Sequence, residues 1–371
     1  MTMKKKAVLI LYSPRELLEF LWYYCTYGKE YEWIAVCALY GKVADHQVEV
    51  CERLGIFSKV LKDDRDFMGM GMVAKLKLFL KMGVYFLAGQ RQRMCRKIIR
   101  EAVGDIDYEL AVISCDYGIL PGAFLCEAKE KKIVILEDGA ADYVKRYSYL
   151  RIKNVRNIND IAGYLLAKMG YANTAFRYTM YNTRFCMKFS LYPENLKYRE
   201  YRSIEQLNNM EHPNFDKSLY QNLKDKVIST EKDYVGDAVL FTTTFYNVTK
   251  EHEYVVTEVI NYINKNYKGK TLILKKHPRD EHDYKFDEDV NVVQIDKNLP
   301  AELLEKRLKV SAYIYMYPST TMLSYEEHND KILVLYFSKL EEKSRYEFDY
   351  KGNFKKGLQI CKIMDENIIL I

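Results

Sequence analysis

No Cys-x-x-Cys pair occurs in this chain, although it holds eight cysteines. They stand singly, several inside apolar runs such as W-I-A-V-C-A-L at 33–39. That spacing argues against a zinc knuckle and a disulfide framework, and leaves reduced core thiols. No apolar run reaches the roughly 18 residues of a membrane-spanning helix. A dominant charge is missing as well. Lys and Arg number 57 against 51 Asp and Glu, a net +6, far from the profile of a dedicated nucleic-acid binder. That balance suits polyanionic substrates or an anionic membrane surface. Low-complexity segments and short internal repeats are absent. The opening M-T-M-K-K-K-A-V-L-I-L-Y has the charge of a signal peptide. Its apolar run is short, however, and no small-residue cleavage site follows, so it reads as a first core strand.

What is present is an alternation. At 371 residues, 49% hydrophobic and 29% charged, the chain suits two folded domains. Continuous apolar runs of strand length at 7–12, 33–40, 57–61, 109–114 and 132–136 read as buried parallel strands. Helices are expected between them at 14–28, 47–54, 73–102 (as one or two) and 121–131. The first opens with Ser13 as N-cap and Pro14 at the first helical position. From 143 to 234 the pattern is less regular, with a helix near 157–169 and a strand at 184–191. A polar linker is expected near 225–236. The rhythm then restarts, with strands at 238–243, 271–276, 291–295, 312–316 and 332–337. Helices are expected there at 251–266, 300–308 and 320–328. The fold class is α/β, two doubly wound Rossmann-like domains facing a cleft, at 1–232 and 233–371.

Three strand ends carry the chemistry. T-L-I-L-K-K-H-P-R-D at 271–280 ends a strand in His277, with Lys275, Lys276 and Arg279 around it. Those cations favour a bound anion beside the imidazole, and Pro278 restricts His277 to extended backbone. A histidine so placed can donate a proton to a leaving phosphate. The other His-Pro, His212-Pro213, follows no apolar strand and reads as a loop. I-V-I-L-E-D-G at 133–139 ends a strand in Glu137 and Asp138, and Gly139 allows a sharp turn. Alternation points the two acids to opposite sides. Asp116, after the preceding strand, lies at another acidic turn on the expected ligand edge of the sheet. Pro318, Ser319, Thr320 and Thr321 open a helix, where hydroxyls and free N–H groups serve equally as a simple cap or as a phosphate seat.

Two further features stay open. Asp64 to Asp66 forms a D-x-D string, a metal and diphosphate holder or a solvated loop. The segment 73–102 carries Lys75, Lys77, Lys81, Arg91, Arg93, Arg96, Lys97 and Arg100 at helical spacing. It is a membrane-surface face or an ordinary solvated one.

The E-D-G strand end, the K-K-H-P strand end and a Ser/Thr pair about forty residues later together resemble the bacterial sialyltransferases of glycosyltransferase family 52. The polysialyltransferases are similar. Tyr12-Ser13-Pro14-Arg15-Glu16 looks like the short turn after that family's first strand, with Ser and Arg-Glu departing from its pattern. The resemblance implies a GT-B fold and a CMP-N-acetylneuraminic acid donor seated on the second domain. It implies inverting transfer without a required metal or other cofactor. Asp138 is then the general base and His277 the acid at the CMP phosphate. Ser319 and Thr320 contact that phosphate, with Lys276, Pro278 and Thr321 beside them. Ser13, Pro14, Asp116, Glu137 and Gly139 fall on the acceptor side. Asp64 to Asp66 then holds no catalytic metal. The acceptor is a galactose-terminated glycan of lipooligosaccharide or capsule, in α2,3 linkage. A cytoplasmic enzyme is expected, with peripheral membrane association through 73–102, no nucleic-acid partner and room for a homodimer. A CDP-glycerol-type glycerophosphotransferase, a nucleotide-sugar epimerase and a non-catalytic membrane-surface protein remain alternatives.

Overall fold

A computed structural model describes residues 4–38, 41–63, 72–114, 119–137, 169, 183–196, 201–227, 232–243, 249–278, 280–340, 354–355, 357–359 and 361–371. The chain divides into two units, Met1–Val227 and Ile228–Ile371. Among the described residues, the first unit builds seven strands: β1 (Lys5–Leu11), β2 (Tyr31–Cys37), β3 (Phe57–Lys62), β4 (Leu110–Ile113), β5 (Lys132–Ile135), β6 (Met187–Ser190) and β7 (Ser203–Gln206). They pair in parallel in the order β3-β2-β1-β4-β5-β6-β7. Ala7 to Leu11 and Leu110 to Ile113 are buried throughout, which is why these strands read as unbroken apolar runs.

The α-helices of this unit among the described residues are α1 (Pro14–Tyr23), α2 (Gly41–Leu54), α3 (Met72–Leu87), α4 (Arg91–Val103), α5 (Ile119–Cys126) and α6 (Lys217–Val227). α1 stops five residues short of the expected end and continues as a wider π turn, Tyr24–Gly28. That turn seats Gly28 against Trp33, whose Nε1 donates to the Gly28 carbonyl at 2.7 Å. A Cβ on Gly28 would lie 3.1 Å from the Trp33 ring, so glycine fits this contact best. The basic segment resolves into two helices, α3 and α4. They separate at Gly89, whose φ of +69° takes the left-handed turn that ends α3.

In the second unit β9 (Ala238–Phe241), β10 (Thr271–Lys275), β11 (Asn291–Ile295), β13 (Ala312–Tyr315), β14 (Ile332–Tyr336) and β15 (Ile368–Leu370) form a parallel sheet in the order β11-β10-β9-β13-β14-β15. β8 (Tyr234–Val235) and β12 (Leu308–Lys309) pair separately. α7 (Thr249–Asn266) follows β9. In both sheets the strand order reverses beside the unit's first long strand, between β1 and β4 and between β9 and β13. Such reversals open a crevice at the carboxyl ends of parallel strands.

Several expectations change. The helix expected at 300–308 is two 3₁₀ turns, Ala301–Leu303 and Glu305–Arg307. The Ala301 carbonyl accepts from Leu304 N and from the Tyr325 hydroxyl, at 2.6 Å for the latter, which favours the tighter winding. The helix expected at 320–328 is 3₁₀, Thr320–Lys331, broken at Tyr325 and His328. The polar stretch read as linker begins inside α6, whose last carbonyls, Lys226 and Val227, accept from Arg53. It ends in β8. The helix near 157–169 falls outside the described residues except for Met169, as do Asp64 to Asp66. All seven described cysteines are free thiols.

Candidate active site

In the second unit, the end of β10 turns sharply through Lys276, His277 and Pro278. Asp280 holds that turn. Its backbone N–H donates to the His277 carbonyl at 2.8 Å. Its carboxylate is buried and accepts from the hydroxyls of Thr242 and Tyr284 and from His282 N. Thr242 lies just past β9 and accepts the His277 backbone N–H at 3.0 Å. One hydroxyl therefore links the ends of two neighbouring strands to one buried acid. The His277 side chain itself is half-buried.

The lysines before it behave differently from each other. Lys275 was expected to add to a cationic field. Instead its ammonium is buried and donates to the Lys276 and Lys297 carbonyls at 2.9 and 3.0 Å. Burial lowers its pKa to about 8. The neutral amine gains from the apolar surroundings of the strand that carries it. Lys276 is half-buried, donates to the His282 carbonyl and lies over the Tyr284 ring.

Past β13, Pro318 is buried and tightly packed. A Cβ on Gly357 would stand 2.6 Å from the Pro318 Cβ, so the Gly357 backbone packs directly against the Pro318 ring. Ser319 caps the 3₁₀ turn, its hydroxyl accepting from Thr321 N at 3.3 Å. The same hydroxyl donates to the Thr321 hydroxyl, which donates to Glu302 at 3.2 Å. A carboxylate thus closes the hydroxyl chain. Thr320 has a described backbone only.

In the first unit, Ser13 caps α1 and accepts from Glu16 N at 3.4 Å, while Glu16 accepts from Tyr12 N at 2.5 Å. This reciprocal pattern is close to a capping box, and the S-P-R-E string is its sequence signature. Arg15 bridges Glu19 at 2.8 Å and Glu137 at 3.1 Å. Glu137 is fully buried and also accepts from the Ser190 hydroxyl and from Leu191 N at 2.7 Å. Lys188, buried beside it, donates to the Leu136 carbonyl at 2.7 Å. Burial pushes the Glu16 and Glu19 carboxyls above their usual range, against the pull of hydrogen bonds to Glu16 and of Arg15 on Glu19. Three glutamates, one arginine and one lysine therefore underlie the carboxyl ends of β1, β5 and β6. Asp138, Gly139 and Asp116 lie outside the described residues, as does Arg279. Pro14 is placed at the first position of α1. Among the described residues, no group of three or more His, Cys, Asp or Glu could hold a metal ion.

The structure brings His277, Thr242 and Asp280 into one network and Ser319, Thr321 and Glu302 into another. Sequence reasoning passed over Thr242, Asp280 and Glu302. Asp280 closes the same ten-residue string as His277, and a Pro-Arg-Asp ending is a turn signal. The family model of glycosyltransferase family 52 matches residues 118–338, more than half of the chain. The chain belongs to glycosyltransferase family 52.

As a family 52 member, the protein is a glycosyltransferase, and each of its two units carries a Rossmann-like parallel sheet. The matched span takes in the E-D-G and K-K-H-P strand ends and Ser319 to Thr321. No curated protein matches the sequence. Solved structures similar to it include the glycosyltransferase of kitacinnamycin, with 9% identity, 100% of this chain and 87% of that one covered, and a TM-score of 0.48. Arabidopsis thaliana UGT89C1 complexed with UDP-L-rhamnose is 10% identical over 97% of this chain and 84% of that one, TM-score 0.47. UDP-GlcNAc 2-epimerase from Methanocaldococcus jannaschii is 11% identical over 99% and 88%, TM-score 0.44.

Proposed function

We propose that this family 52 enzyme is an inverting, metal-independent sialyltransferase. It moves N-acetylneuraminic acid from CMP-N-acetylneuraminic acid to a galactose-terminated surface glycan, lipooligosaccharide or capsule, in α2,3 linkage. Family membership supports the transfer class. The observation that carries the residue roles is the His277 turn, pinned by Thr242 and buried Asp280 while its imidazole stays half-exposed.

The reaction is one displacement. The acceptor hydroxyl oxygen bonds to the anomeric carbon, and its proton passes to Asp138. The bond from that carbon to the CMP phosphate oxygen breaks, and His277 donates a proton to the departing phosphate. Ser319, Thr320 and Thr321 supply hydroxyl and backbone N–H donors at the start of the 3₁₀ turn. Each hydroxyl proton rotates, so Ser319 and Thr321 can re-aim from their present partners toward phosphate oxygen. Lys276 adds positive charge, and Pro278 keeps His277 extended. The transition state is oxocarbenium-like and cytidylate leaves well, so placed charge meets the need. Ser13, Pro14, Asp116, Glu137 and Gly139 support the acceptor side on residues 1–232. The CMP moiety sits on 233–371.

Thermal shift against CMP, UDP and CDP-glycerol tests the donor class. CMP should raise the melting temperature and UDP should not. Protection by UDP alone would favour the epimerase reading, and protection by CDP-glycerol alone the glycerophosphotransferase. Asp138→Asn should abolish most turnover without changing the melting temperature. Near-normal turnover in that variant would remove Asp138 from its role.

A further inference from the structure

The helix α3 is apolar on two opposite sides. Inward, Met82 is fully buried, with Leu78, Phe79 and Tyr85 packed on the same core. Outward, Val73, Leu76, Leu80, Val84 and Leu87 are between 57% and 85% exposed. At 3.6 residues per turn these five fall within an arc of about 80°, opposite Met82, in a stripe roughly 21 Å long. Contiguous aliphatic side chains in water on one helix face mark an interaction surface. No helix among the described residues is long and apolar enough to cross a membrane.

Charge identifies the partner. α3 carries Lys75, Lys77 and Lys81 and no acid. Residues 73–102 hold eight Lys and Arg and one acid, Glu101, a net +7 in a chain whose total is +6. Of these cations Arg96 pairs with Glu127 and Glu130 and Arg100 with Asp105, so the charge that bears on the stripe is that of the α3 lysines. Lys77 and Lys81 follow the aliphatic stripe along one edge by helical spacing. Two copies meeting stripe to stripe would bring those lysines toward each other. An anionic bilayer complements both features, taking aliphatic side chains below its phosphates and ammonium groups at their level.

We propose that α3 lies flat in the headgroup region of an anionic membrane, with Val73, Leu76, Leu80, Val84 and Leu87 inserted and Lys77 and Lys81 on lipid phosphates. This surface does not depend on the donor chemistry above. Its consequence is that an acceptor anchored in lipid is met at the membrane plane.

The test is co-sedimentation of the full chain with phosphatidylglycerol/phosphatidylcholine vesicles and with phosphatidylcholine vesicles alone. Wild type should bind the anionic vesicles and leave the neutral ones. The triple variant Leu76→Gln, Leu80→Gln, Val84→Gln should lose at least tenfold in partitioning with unchanged circular dichroism and melting temperature. Lys77→Glu with Lys81→Glu should lose the preference for anionic lipid. Failure of wild type to bind anionic vesicles, or equal binding by the triple variant, overturns the proposal. So does a wild-type dimer that the triple variant converts to monomer without any vesicle binding, which would make the stripe a contact between copies.

Discussion

At the carboxyl edge of the first sheet, buried Glu137 is held by an arginine, one hydroxyl and a backbone N–H. At the same edge of the second, buried Asp280 is held by two hydroxyls and a backbone N–H. Both acids follow a strand and both fix the loop that leaves it. The difference lies in what each arrangement does with charge. Arg15 neutralises Glu137 and ties it to α1, so the acid becomes part of the frame. Thr242 and Tyr284 carry no charge, and among the described residues Asp280 holds the His277 turn without an ion pair. The first unit thus ties its buried acid to a charge, whereas the second uses a buried acid to hold the turn that carries a half-buried imidazole.

The sharpest way to break this comparison separates presenting from reacting. His277→Ala should lower turnover by roughly a hundredfold to ten-thousandfold with an unchanged melting temperature. Asp280→Ala should lose comparable turnover and also about 3 kcal/mol of stability in urea unfolding, because three donors lose a buried acceptor. Full turnover in Asp280→Ala would mean that the turn does not position the imidazole.

Glu137→Gln should be milder, about 2 kcal/mol, since the amide oxygen still accepts from Leu191 N and Arg15 keeps Glu19. A loss larger than that of Asp280→Ala would reverse the contrast between the two units. The smallest effect is a pH slope. The folded pKa of Lys275 is lowered to about 8. Between that value and its ordinary one the unfolded chain binds more protons, so its contribution to stability rises with pH. Below pH 8 both states are protonated and the slope vanishes. Wild type should therefore gain on Lys275→Met by about 1 kcal/mol per pH unit from pH 8 to 10. A flat difference would mean that the ammonium is not buried as described.

The frame of both sheets was legible because parallel strands buried on two faces must be apolar, as A-V-L-I-L in β1 and A-V-L-F in β9 are. β7, S-I-E-Q, escaped because it is a polar strand at the edge of its sheet. α6 escaped because its Tyr, Asn, Lys and Asp content hides three buried positions, Tyr220, Leu223 and Val227. The sequence shows a helix at 300–308 and at 320–328 but not its 3₁₀ winding, since a few turns of either kind show the same apolar spacing. At the site, His277 stood out by its chemistry. Asp280 and Lys275 did not, because charged letters read as surface until a buried hydrogen-bond partner is seen. Thr242 carried no signal at all, since its role comes from the neighbouring strand.

The measurement that bears most directly on the sialyltransferase reading is CMP release from CMP-N-acetylneuraminic acid with and without lactose, in the presence of a metal chelator. The account predicts release that rises on adding lactose, a sialylated lactose by mass, no dependence on the chelator and loss of release in His277→Ala. Contradiction would be a folded enzyme that leaves this donor intact while turning over CDP-glycerol or a UDP-sugar.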